Sequence, residues 1–144
     1  MATHRTAEVT WQGSLIEGSG TIDSTTSGVI APLPVTWASR AEAPQGRTSP
    51  EDLLAAAHAS CFAMALSGAL AEVGHPPDEL RTAATVTFVP GTGITKIALS
   101  VRGRVPDIDE GAFREAAEGA KTGCPISQAL AGVPEITLDA RLEG

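Results

Sequence analysis

Two cysteines are the side chains of this chain best suited to covalent chemistry. Cys61 lies within the nearly uncharged stretch AAAHASCFAMAL, and Cys124 opens the stretch CPISQAL 63 residues later. A thiol inside a long apolar helix is ordinarily inert, because burial disfavours the thiolate and raises its pKa. On composition alone, both cysteines read as small buried hydrophobes. Position separates them. Cys124 stands at the start of a short helix with Pro125 at the first helical position, where unpaired N–H groups stabilise a thiolate. Cys124 is therefore the more acidic thiol expected, and Cys61 becomes nucleophilic only if the fold brings it a cation. The chain has ten Lys and Arg residues, and spacing selects none of them.

His58, three residues before Cys61 on nearly the same helix face, offers a base for thiol-dependent acyl transfer or hydrolysis. Side chains three apart on one helix lie beside each other without converging on a common substrate, however. A lone histidine in an Ala-rich helix is expected to be packed and bonded to a backbone carbonyl. Cys61, Cys124, His4, His58 and His75 include no CxxC and no paired histidines at ligand spacing, so no metal site or cofactor is expected.

The elements that must position these groups are marked by turn formers and caps. The first forty residues alternate in short strand-like runs, AEVTWQG, GSGTIDS and PLPVTWASR, which predict an antiparallel meander. Ser49-Pro50-Glu51-Asp52 then supplies an N-cap, a proline at the first helical position and two acids in the first turn. The helix so started runs to about Val73, with Gly74 as its cap and Pro76-Pro77 blocking continuation. LRTAATVTFV and TKIALSVRGRV follow as two strands around the loop Pro90-Gly91-Thr92-Gly93, and they are expected at the sheet's centre. An amphipathic helix from Asp109 to Lys121 ends at Gly123, Cys124-Pro125 opens a short helix, and EITLDARLE closes the chain as a strand. The order predicts an α+β fold with antiparallel sheets and a long buried central helix.

Residues 1–144 are expected to form a single domain, with 42% hydrophobic and 19% charged residues. The net charge of −7 argues against nucleic acid or an anionic membrane as a partner. Leu53 to Ala71 is 19 residues long without Asp, Glu, Lys or Arg, the length of a bilayer span. Eight of those residues are alanine, and the flanks are Glu51, Asp52 and Glu72 instead of Lys or Arg, which marks a buried helix of a soluble protein. The polar start MATHRTAEVTWQG has no apolar core of a secretory signal, so a reducing cytoplasm is expected and a permanent structural disulfide is not. The long helix, about 36 Å at roughly 1.5 Å per residue, is apolar on nearly all faces, and one small sheet covers only one side of it. A homodimer that buries these helices between subunits is the expected remedy.

The segment RTSPEDLLAAAHASCFAMAL resembles the signature of the osmotically inducible protein C and organic hydroperoxide resistance (OsmC/Ohr) family of thiol peroxidases. In that family a Pro-Glu helix start precedes an Ala-rich helix carrying Cys-Phe. CPISQAL is similar to the family's second-cysteine motif, and AHASCFAMAL is closer to the osmotically inducible branch. The resemblance implies an intertwined homodimer with active sites at the subunit interface, and a cytoplasmic enzyme reducing organic hydroperoxides. It implies that Cys61 is the peroxidatic cysteine, Cys124 the resolving cysteine and Glu51 the helix-start carboxylate. Arg40, at the end of VTWASR, matches the arginine accompanying the thiolate, with Arg47 nearby as the alternative. A dithiol reductant is the implied electron donor, and lipoyl-bearing partners are what the family suggests.

In that scheme Arg40 offsets the desolvation of Cys61, and Glu51 aims the guanidinium through a two-pronged hydrogen bond. Glu51 and Cys61 are ten residues apart, about 15 Å along a helix axis. Either Arg40 spans part of that interval, or the carboxylate meeting it comes from a partner subunit. Leu54, Phe62 and Met64 are candidates for apolar walls around the thiol, with core packing as their other role. The rival to the whole scheme is a non-catalytic dimer that binds an apolar small molecule and carries two inert cysteines.

Overall fold

The structure, a computed structural model, describes residues 1–30 and 32–143. The chain divides into two compact units, Met1–Leu53 and Leu54–Gly144. The first holds a three-stranded antiparallel meander, β1 (Ala7–Gln12), β2 (Ser19–Thr25) and β3 (Leu33–Val35), in that spatial order. Trp11 pairs with Gly20 across the β1–β2 ladder, and its indole lies over the glycine. A Cβ at Gly20 would sit 2.6 Å from the indole, so only glycine lets the ring cover the strand there.

The run VTWASR does not continue as strand. β3 ends at Val35, and Thr36 becomes the N-cap of a short helix, α1 (Trp37–Ala41). The Ser39 N–H donates to Thr36 Oγ1 at 3.1 Å, and the Thr36 N–H donates to Ser39 Oγ at 3.0 Å. This reciprocal cap satisfies two helix-end donors and outweighs the β-leaning Val-Thr-Trp sequence. Arg40 therefore projects from a helix, not from a strand end.

The long helix, α2 (Pro50–Glu72), starts where its cap predicts: the Asp52 N–H donates to Ser49 Oγ at 3.1 Å, and that hydroxyl donates to the Asp52 carboxylate at 2.8 Å. It ends at Gly74, whose φ of +88° suits glycine. The His75 N–H reaches back to the Leu70 carbonyl and the Gly74 N–H to that of Ala71, a paired closure that satisfies two orphan carbonyls.

Within the second unit α2 buries His58, Phe62, Leu66 and Leu70, four residues at helical spacing. Phe62, Leu66 and Leu70 join Ile97, Leu99 and Val101 in one apolar cluster. Those three belong to β5 (Gly93–Arg104), the middle strand of a sheet ordered β4 (Glu79–Val89), β5, β6 (Glu135–Leu142). α2 has the length and mean hydropathy, 1.7 in its most apolar window, of a membrane span, yet it serves as the core helix of a soluble fold. Ala56, Ala57, Ser60, Met64, Gly68 and Ala71 on α2 are exposed.

The second sheet corrects the expectation of antiparallel sheets throughout. β4 and β5 form the expected hairpin, but β6 runs parallel to β5, from Lys96 opposite Glu135 to Gly103 opposite Leu142. Two helices lie between β5 and β6, α3 (Glu110–Gly123) and α4 (Pro125–Ala129). They carry the chain back along the sheet, so the next strand enters from the same end, as in any strand–helix–strand crossover. Phe113 of α3 packs on Gly103 of β5, where an added Cβ would fall 2.6 Å from the fully buried ring. That close approach draws α3, and the Cys124 that follows it, onto the sheet.

Candidate active site

Of the four residues singled out in the sequence, each unit brings one pair together. In the first unit Arg40 and Glu51 form an ion pair, with Arg40 Nε donating to Oε1 at 2.6 Å and to Oε2 at 3.2 Å. Both carboxylate oxygens thus share a single N–H, whereas the expected contact used two prongs of the guanidinium. Glu51 is only 8% exposed, and the Arg40 side chain is 34% exposed. The carboxylate that meets Arg40 comes from its own chain. Arg40 also lines an apolar pocket of about 220 Å³ with Val9, Trp11, Leu15, Val35 and Trp37. The pocket joins one cation to two indoles and three aliphatic side chains, a surface suited to an apolar ligand with a polar end.

In the second unit Cys61 of α2 and Cys124 at the start of α4 are both free thiols, near enough to each other that each shifts the other's titration. Their exposure differs: Cys61 is half-buried, and Cys124 is 0% exposed. Burial pushes the Cys61 thiol up, the bond to Cys124 pushes it further, and the N–H of Ile126 opposes both. Burial also pushes Cys124 up, but donation from Cys61, from the N–H and hydroxyl of Ser127 and from the N–H of Ile126 brings its thiol down overall. The first proton lost from the pair therefore leaves the charge on Cys124, as its place at a helix start predicts.

His58 is packed in the interior, as one of the two readings of the sequence expected, but with a different partner. It is 0% exposed, and its Nε2 lies 2.7 Å from Ser127 Oγ, so its partner is a hydroxyl and not a backbone carbonyl. Ser127 went unnoticed in the sequence; its only signal there is its place three residues after Cys124, in the first turn of α4. Phe62 is fully buried in the core cluster and lines no substrate surface, while Met64 is 74% exposed.

Burial pushes His58 below the ordinary imidazole range. In the unfolded chain it takes up a proton below about pH 6.5, whereas in the fold it stays neutral to lower pH. Unfolding therefore binds a proton in that window; this contribution to stability is complete above about pH 6.5 and declines as the pH falls towards the folded value. Urea midpoints measured from pH 7.5 down to 5 are expected to fall, and to fall less steeply in His58→Gln. An identical slope in the variant would assign the decline to other groups.

Comparison with known proteins places the chain in a family. A model of the family described as OsmC-like protein matches residues 43–139. The chain is 43% identical over 146 residues to Peroxiredoxin OsmC of Escherichia coli strain K12, an alignment covering 99% of both chains. Among solved structures, the organic hydroperoxide resistance protein OhrB of Bacillus subtilis superposes with a TM-score of 0.62 at 27% identity, over 96% of this chain and 98% of that one. An OsmC-like protein from Mycoplasma pneumoniae gives a TM-score of 0.69 at 17% identity over 96% and 98% of the two chains, a likeness of fold alone.

Proposed function

The chain belongs to the OsmC/Ohr family, and from that premise we propose that it is a cysteine-based peroxidase reducing organic hydroperoxides to alcohols. The observation that carries this reading is the juxtaposition of a partly exposed cysteine, Cys61, and a fully buried one, Cys124. A peroxide reaches only the first, and the second stands ready to condense with the product. The Cys61 thiolate attacks the outer peroxide oxygen, the O–O bond breaks, and the alkoxide leaves as the alcohol after taking a proton. Cys61 is then a sulfenic acid, which Cys124 converts to a disulfide with loss of water. A dithiol donor, in the family a lipoyl-bearing protein, returns both sulfurs to thiols by exchange.

Cys61 is the less acidic thiol of the pair, so its attack needs a positive charge. The family resemblance assigns that role to Arg40, whose guanidinium is paired with Glu51 within the first unit and stays protonated in partial burial. The apolar pocket beside Arg40 favours an alkyl or aryl hydroperoxide over hydrogen peroxide. The exposed, largely apolar face of α2 from Ala56 to Ala71 suits a second copy of the chain, giving a homodimer of single-domain subunits in the cytoplasm.

The test is mass spectrometry of the reduced protein after one equivalent of cumene hydroperoxide. The expected product has lost two hydrogens and has Cys61 and Cys124 joined within one chain. Recovery of both thiols with the peroxide intact would overturn the reading.

A further inference from the structure

We propose that Ser127 and His58 form a donor relay aimed at the Cys124 sulfur, with Ser127 acting on that sulfur during disulfide formation and His58 positioning Ser127. The inference rests on the peroxidase reading above and adds two residues to its resolving step.

All three groups are shut away from solvent, His58 and Cys124 at 0% exposure and Ser127 at 7%. His58 Nε2 and Ser127 Oγ, 2.7 Å apart, join α2 to α4 across 69 residues of sequence. Ser127 stands one helical turn after Cys124 at the start of α4, and its hydroxyl is among the groups that act on the Cys124 thiol. A hydroxyl has one proton to give. If it goes to the sulfur, the oxygen must accept from His58, which places the ring proton on Nε2 and leaves Nδ1 with a bare lone pair. Nδ1 is the one buried side-chain nitrogen or oxygen without a partner among the described residues. The opposite tautomer would strand a buried N–H there, and buried donors without acceptors are the rarer kind of orphan. The unpartnered Nδ1 and the 2.7 Å contact thus select the same direction: Nε2–H to Oγ, and O–H to sulfur.

The relay has work to do in both halves of the cycle. In resolution the Cys124 thiolate attacks the sulfur of the Cys61 sulfenic acid; the S–S bond forms, the S–O bond breaks, and hydroxide takes a proton and departs as water. In reduction a dithiol attacks the disulfide, and the better-stabilised sulfur leaves. Donation from Ser127 in the relay would make that sulfur Cys124, so the incoming thiol bonds to Cys61, the less buried of the two.

Rapid quenching after one equivalent of cumene hydroperoxide, with dimedone trapping of the sulfenic acid, separates the two steps. Ser127→Ala is expected to slow disulfide formation at least about tenfold more than it slows sulfenic acid formation, the scale of one hydrogen bond lost to a charged acceptor. Ser127→Thr, which keeps the hydroxyl, is expected to recover most of the rate. In a Cys61→Ser background, where Cys124 is the only thiol, Ser127→Ala is expected to move the thiolate absorbance midpoint to higher pH. Equal slowing of both steps, or an unmoved midpoint, would overturn the relay while leaving the peroxidase reading intact. A wild-type chain that forms no sulfenic acid or disulfide would overturn the peroxidase reading itself.

Discussion

Cys61→Ser is expected to abolish hydroperoxide consumption in the presence of excess dithiol, a loss of about a thousandfold or more, on the scale seen when an enzyme loses its nucleophile. The argument is one of access as well as chemistry. Cys124 is the more acidic thiol, but it is fully buried, so it does not substitute for the missing sulfur. Cys124→Ser is expected to behave differently: one equivalent of peroxide is consumed and Cys61 stops at the sulfenic acid, which dimedone captures. The two variants together distinguish a peroxidase from a dimeric binding module with inert cysteines. In the latter neither substitution changes peroxide loss.

Arg40→Ala is expected to lower the rate of sulfenic acid formation about a hundredfold, the scale of removing one preorganised charge from a reacting centre. It also leaves the nearly buried Glu51 carboxylate without its ion-pair partner. Breaking a fully buried pair costs about 3–5 kcal/mol, and the partial exposure of Arg40 reduces the expected loss to about 1–3 kcal/mol. The double variant Arg40→Ala, Glu51→Gln separates these effects. It is expected to regain most of the stability, because a neutral amide tolerates the site better, and none of the activity. Stopped-flow kinetics paired with urea unfolding would show this; recovery of both together would reduce Arg40 to a structural counter-ion. In the same kinetic assay His58→Ala is expected to be far less damaging than Arg40→Ala, which argues against hydrolysis through a Cys/His pair.

The punctuation of the chain made most of the architecture legible. Ser49-Pro50 marks the start of α2, Gly74 with Pro76-Pro77 marks its end, and Asp109 marks the start of α3, because caps and turns are written in residues that are adjacent in sequence. The direction of β6 is not local: it follows from how two intervening helices return the chain, and nothing in EITLDARLE distinguishes a parallel strand from an antiparallel one. α1 was hidden because Val35-Thr36-Trp37 carries β-leaning side chains, while the Thr36–Ser39 cap that overrides them is a short-range signal easily read as turn chemistry. Within the site, the cysteines were visible as residue types, and Arg40 and Glu51 came from family likeness. The link between His58 and Ser127 spans 69 residues and has no trace in spacing.

The nearness of the two thiols in the reduced chain bears on how the protein would fare under excess oxidant. A sulfenic acid that must wait for its partner thiol is exposed to a second oxidant molecule, which carries it on to the sulfinic state. Here the partner already lies near Cys61 in the reduced chain, so condensation competes with that second oxidation from the start. The vulnerable interval is correspondingly brief, and such a molecule withstands an oxidative burst instead of being inactivated by it.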